Sequence, residues 1–174
     1  MNTSRSLVSN TSDVVRLERL LPGPIERVWR YLTESSLRQT WLASGAMELA
    51  PGGSVTMTWN NDSLSDEPTP ERFVKHEGST MTGTVLACEA PRLLVYTWPQ
   101  GEALTEVRFE LETRDDAVLL VLTHSKLVTD ARIRGVSAGW TAHLEVLRQR
   151  LAGIEPIVFW AHFTQAEKVH SAGA

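Results

Sequence analysis

Cysteine is nearly absent from this chain: the single Cys88 has no partner for an internal disulfide. That excludes a disulfide-stapled scaffold and fits a reducing compartment. With no activating neighbour in sequence, Cys88 reads as a buried, inert thiol. Basic clusters are missing too, since no run of Lys and Arg exceeds two residues and the net charge is −4. Phosphate backbones need several cations on one face, so nucleic acid is excluded as the main partner. Long apolar runs are lacking; nothing approaches the roughly 20 residues of a membrane span. The opening MNTSRSLVSNTSD is polar, without the apolar core of a signal peptide. There is no Gly-rich phosphate loop, zinc-ligand spacing, nucleophile elbow or Cys pair. No metal, cofactor or catalytic residue is therefore assigned, and a cytoplasmic protein that engages neither nucleic acid nor membrane is the expectation.

What the chain does have is periodicity. Its 174 residues, 42% of them hydrophobic, suffice for one domain with a substantial core. Residues 129–152 form its longest helix-like run, and Ile133, Val136, Trp140, Leu144, Leu147 and Leu151 recur there at three- and four-residue steps. Thr129 or Asp130 can cap its start, Glu145 can pair with Arg148 or Gln149, and Gly153 with Pro156 supplies the stop. Gly135 and Gly139 interrupt a good helix former at about 1 kcal/mol each. A glycine beside Trp140 suggests a close approach to another backbone, or a kink.

Everything before that helix reads as the surface it lies on. Residues 1–12 are polar and expected to be disordered. Asp13–Leu21 alternates as a strand, with Val15, Leu17, Arg19 and Leu21 on one parity. Pro24 suits the first position of a short helix carrying Ile25, Val28, Trp29 and Leu32, and Ser35 or Ser36 begins a second that buries Leu37 and Trp41. Strand patterns follow at 54–60, within 73–88, and at 92–98, 104–112 and 117–124, with a weaker candidate at 45–49. The polar, Pro-containing segment 61–72 reads as a long loop or flap. Short turns between successive strands make an antiparallel meander with one apolar face for the helix to cover. Residues 156–170 allow a further amphipathic helix.

The runs VRLERLLPGPIERVWRYLT, GTVLACEAPRLLVYTW, VLTHSKL and GWTAHLEVLRQRLAG, with FW after the last, resemble the START-like helix-grip superfamily (SRPBCC). More closely, they resemble the activator of heat-shock protein 90 ATPase homologue family. The resemblance spans about residues 13–163. It implies an α+β fold in which a curved antiparallel sheet of six to seven strands wraps around a long C-terminal helix, with two short helices after the first strand. The expected organisation is a tail at 1–12, a helix-grip domain at 13–153 and a helical extension with a loose end at 154–174.

A curved sheet and a straight helix need not fill the space between them, and large rings with a few polar atoms suit pocket walls. The candidate ligand-binding residues are Trp41, Met57, Trp59, Tyr96, Trp98, Leu122, His124, Trp140, His143 and Leu144. Two readings stay open for the tryptophans, aromatic core or cavity wall. Two stay open for His124 and His143: a polar pair that orients a ligand or trades protons, or buried imidazoles holding helix to strand. The expected function is binding of a small apolar or aromatic molecule between sheet and helix. The resemblance implies two further roles, stimulation of a heat-shock protein 90 chaperone's ATPase and a cyclase- or aromatase-like enzyme using a pocket histidine. Phe159, Trp160 and Phe163 either support a weak homodimer or pack back on their own chain, leaving a monomer.

Overall fold

The computed structural model describes residues 13–156 and 158–171. The tail expected at 1–12 and the last three residues lie outside the described residues. Six strands follow the inward parities read from the sequence. They are β1 (Val15–Pro22), β2 (Ser54–Thr58), β3 (Thr80–Glu89), β4 (Leu93–Gln100), β5 (Ala103–Arg114) and β6 (Ala117–Ser125). All neighbours pair antiparallel, in the order β1-β6-β5-β4-β3-β2. The weak candidate at 45–49 adds only bridges, Ser44 to Thr58 and Met47 to Val55, so the sheet has six strands.

Helix α1 (Ile25–Thr33) starts one residue later than Pro24, which sits at the N-cap, and buries Val28, Trp29 and Leu32. Helix α2 (Ser35–Arg38) holds a surprise, because its buried side chain is Arg38 rather than Leu37. Arg38 donates to the carbonyls of Thr33, Ala43 and Gly45, so a charge out of water is satisfied by backbone oxygens alone. Residues 61–77 do not stand free as a flap. They contain a 3₁₀ turn at Asn61–Ser63 and helix α3 (Glu71–Val74), and bury Leu64. The start of the 73–88 pattern is thus helical, and β3 begins only at Thr80.

The long helix α4 (Asp130–Leu151) is capped by Thr129, whose hydroxyl accepts from the Arg132 N–H at 3.2 Å. Its sequence stripe is buried apart from the half-buried Val136, and Ser137, Ala138, Ala142, His143 and Val146 are buried as well. The second covered side belongs to α5 (Phe159–Ser171), which packs along α4. Phe159 and Trp160 are buried inside the chain, so they offer no exposed patch for self-association. The 61–77 segment secures α5: Phe73 stacks on Trp160 at 4.9 Å, and Arg72 pairs with Glu167. Glu67 accepts from the Trp160 and Ala161 N–H groups, satisfying donors that a helix start leaves open.

Candidate functional site

In this meander β2, β4 and β6 run in the same direction, so their C-terminal ends reach one side of the sheet. That brings together Trp59 just past β2, Trp98 and Gln100 at the end of β4, and His124 near the end of β6. The N-terminal two-thirds of α4 crosses above them with Ala131, Arg132, Gly135, Val136, Gly139, Trp140 and His143, and Leu42 closes the side after α2. These residues line a cavity of about 430 Å³, a size that suits a drug-like molecule.

Three indoles shape it. Trp98 meets Trp59 edge-on at 5.4 Å and Trp140 edge-on at 5.3 Å. The two helix glycines keep α4 from filling the opposite wall. A Cβ on Gly135 would meet no atom within 4 Å, and one on Gly139 would meet only the Phe163 ring, at 3.8 Å. The close approach expected beside Trp140 is therefore to a side chain of α5 and not to a backbone.

His124 sits in a hydrogen-bond chain whose direction follows from its members. The Trp140 indole N–H can only donate, and it reaches His124 Nδ1 at 3.0 Å. The neutral imidazole then carries its proton on Nε2, which donates to the Thr105 hydroxyl at 2.7 Å. The Thr105 hydroxyl in turn donates a hydrogen bond to the Trp98 carbonyl, also at 2.7 Å. Both nitrogens of His124 are thus occupied, and strands β4, β5 and β6 are tied to α4. His143 donates from Nδ1 to the Trp41 carbonyl at 2.7 Å, leaving Nε2 as an acceptor. Burial pushes both imidazoles down from 6.5 to about 4; at His143 the Trp41 carbonyl opposes that shift. Both are neutral near pH 7.

Five of the ten candidate residues, Trp59, Trp98, His124, Trp140 and His143, come together on the cavity wall. The other five, Trp41, Met57, Tyr96, Leu122 and Leu144, are almost fully buried in the core and do not reach it. Trp41 shows why: its indole N–H is spent on the Tyr31 carbonyl at 2.8 Å, beneath α1. The sequence reading missed Leu42, Gln100, Ala131, Arg132 and Val136 as wall residues. It noted Gly135 and Gly139 as interruptions without seeing that they open space, and those two were the available signal. Cys88 is half-buried on β3, opposite Leu94, with its thiol pushed up by partial burial. Among the described residues no group of three His, Cys, Asp or Glu side chains could hold a metal, and no helix is long and apolar enough to cross a membrane.

A curled antiparallel sheet closed over one long C-terminal helix, with a cavity between them, defines a helix-grip protein of the SRPBCC type. The family is shown by the sequence itself. The profile of the activator of Hsp90 ATPase homolog 1-like proteins matches residues 22–152, and the chain belongs to that family. A Bordetella parapertussis protein solved by solution NMR is 41% identical, with a TM-score of 0.81 over 93% of this chain and 86% of that one. CalU16 from Micromonospora echinospora shares the fold at 21% identity and a TM-score of 0.70, covering 91% of this chain and 86% of its own. A Mesorhizobium loti protein does so at 24% identity and a TM-score of 0.64, covering 80% and 97%. No curated protein matches the chain.

Proposed function

We propose that this protein binds a small apolar or aromatic molecule in the cavity between β2, β4, β6 and α4. The observation that supports this reading is the wall itself: three indole rings face a space that two helix glycines leave open. Edges and faces of indoles suit a planar ring, and burying apolar surface drives binding at about 25 cal/mol per Å².

The test is a thermal-shift panel of one- to three-ring aromatic compounds, run on the wild type and on Val136→Phe, which places a ring in the cavity. Binding should raise the wild-type Tm with ligand concentration, and the variant should lose that response by tenfold or more in apparent affinity. If no compound shifts the Tm, and protein from its own cells shows a clean apo mass by native mass spectrometry, the reading is wrong.

Of the two wall histidines, only His143 keeps a ring nitrogen without a hydrogen-bond partner among the described residues, Nε2, because both nitrogens of His124 are engaged. A catalytic role for a histidine would fall to it. The family name supports a second reading, contact with a heat-shock protein 90 homologue. Titrating that chaperone's ATPase with the pure protein tests it, and an unchanged rate rejects it.

A further inference from the structure

Of the residues that line the cavity, Arg132 alone is charged, since both histidines are neutral. Among the described residues most guanidinium groups have partners; Arg92 and Arg134, like Arg132, have no ion pair or side-chain hydrogen bond, but neither of them lines the cavity. Arg16, Arg30, Arg72, Arg108, Arg114, Arg148 and Arg150 pair with glutamates, and the buried Arg38 is held by carbonyls. The Arg132 guanidinium has neither an ion pair nor a hydrogen bond among the described residues. It lies against the β4–β5 turn, where a Cβ on Gly101 would come within 3.9 Å of its Nη2. Gln100, the residue before that glycine, also lines the cavity, and its Oε1 is buried without a partner. The wall therefore has an apolar end made by Trp59, Trp98 and Trp140 and a polar end made by Arg132 and Gln100.

Resting on the cavity reading above, we propose that the ligand is an aromatic acid. Its ring lies among the indoles, and its carboxylate is held by the Arg132 guanidinium with the Gln100 amide beside it. A guanidinium fork matches a carboxylate with two parallel N–H bonds, and charge-assisted bonds of this kind are about twice as strong as neutral ones. The Gln100 NH₂ can donate to the same carboxylate, an acceptor-only group. Arg132 belongs to the first turn of α4, so the positive end of a 22-residue helix adds field of the same sign. A neutral hydrocarbon would leave the cation unused. An amine would meet repulsion.

The experiment compares 2-naphthoate with 2-naphthamide, a neutral analogue of nearly the same shape, by isothermal titration and by quenching of tryptophan fluorescence at low salt. Naphthoate should bind wild-type protein about tenfold more tightly than the amide. Arg132→Gln should bring naphthoate down to the amide's affinity and leave the amide unchanged, whereas Arg132→Lys should keep part of the preference. Added salt should weaken naphthoate only. Equal wild-type affinities, or equal weakening of both probes by Arg132→Gln, would overturn the acid assignment. In that case the cavity reading would still stand, because the amide binds and Val136→Phe removes its binding. If neither probe binds at millimolar concentration, the acid assignment falls, and the cavity reading is decided separately by the aromatic panel and the native mass spectrum.

Discussion

The space between sheet and α4 has two ends, built from the same kinds of residue with opposite results. At the closed end Trp41, Met57, Tyr96, Leu122 and Leu144 are at most 1% exposed, under a cover that includes α1 and α2. At the open end Trp59, Trp98 and Trp140 face a cavity, because α4 presents Gly135 and Gly139 there and α5 does not fill the gap. An inward aromatic ring is core or wall according to what stands across from it. Residue type does not decide between them.

The sharpest way to break this comparison is at the closed end. Trp41→Ala should lower the unfolding free energy by about 3–5 kcal/mol in denaturant titration, since it empties a packed site and strands the Tyr31 carbonyl. A loss below about 1 kcal/mol would mean that this end is not close-packed. Ligand binding by the folded fraction should be unaffected.

Next in size is pH. His124 and His143 take up protons near 6.5 in the unfolded chain but only near 4 when folded. Unfolding therefore binds protons between those values, so this part of the stability is complete above pH 6.5 and is lost as pH falls toward 4. The loss is on the order of 3 kcal/mol per histidine at most. Histidine proton NMR together with denaturant curves at pH 7, 5.5 and 4.5 would check it. Imidazole signals that titrate in the ordinary range would show that the cavity wall is wet and the two ends differ less than the packing implies.

The smallest effect lies at the open end. Gly135→Ala should stabilise the protein by up to about 1 kcal/mol, because alanine favours the helix and its methyl group meets nothing within 4 Å. Destabilisation would show that this stretch of helix is tighter than its surroundings suggest.

The strands were legible because alternation is a local property. The parities of β1, β4, β5 and β6 in the sequence put Leu17, Tyr96, Phe109 and Leu122 inward, and all four are buried. The α4 stripe was legible for the same reason, and of the two caps the sequence left open, Thr129 and Asp130, the structure uses Thr129. The second buried side of α4 was not, because nothing within 129–152 announces that α5 will set Phe159 against His143 and Phe163 against Gly139. Arg38 was missed because a charged residue reads as surface until three carbonyls are folded around it. The 61–72 segment reads as loop because its anchors, the Trp160 N–H and Glu167, are about ninety residues away in the chain.

By itself, then, the sequence determined the order of the elements, the face each strand turns inward, and the stripe of the long helix. Each depends on a two-residue or 3.6-residue repeat between near neighbours. Only the tertiary structure decided which rings became wall and which became core, and that His124 would spend both nitrogens on Trp140 and Thr105. It also left Arg132 without a partner beside the cavity. These outcomes depend on the curvature of the sheet, the direction shared by β2, β4 and β6, and the path of α4 across them. They are relations among distant segments that no local pattern encodes.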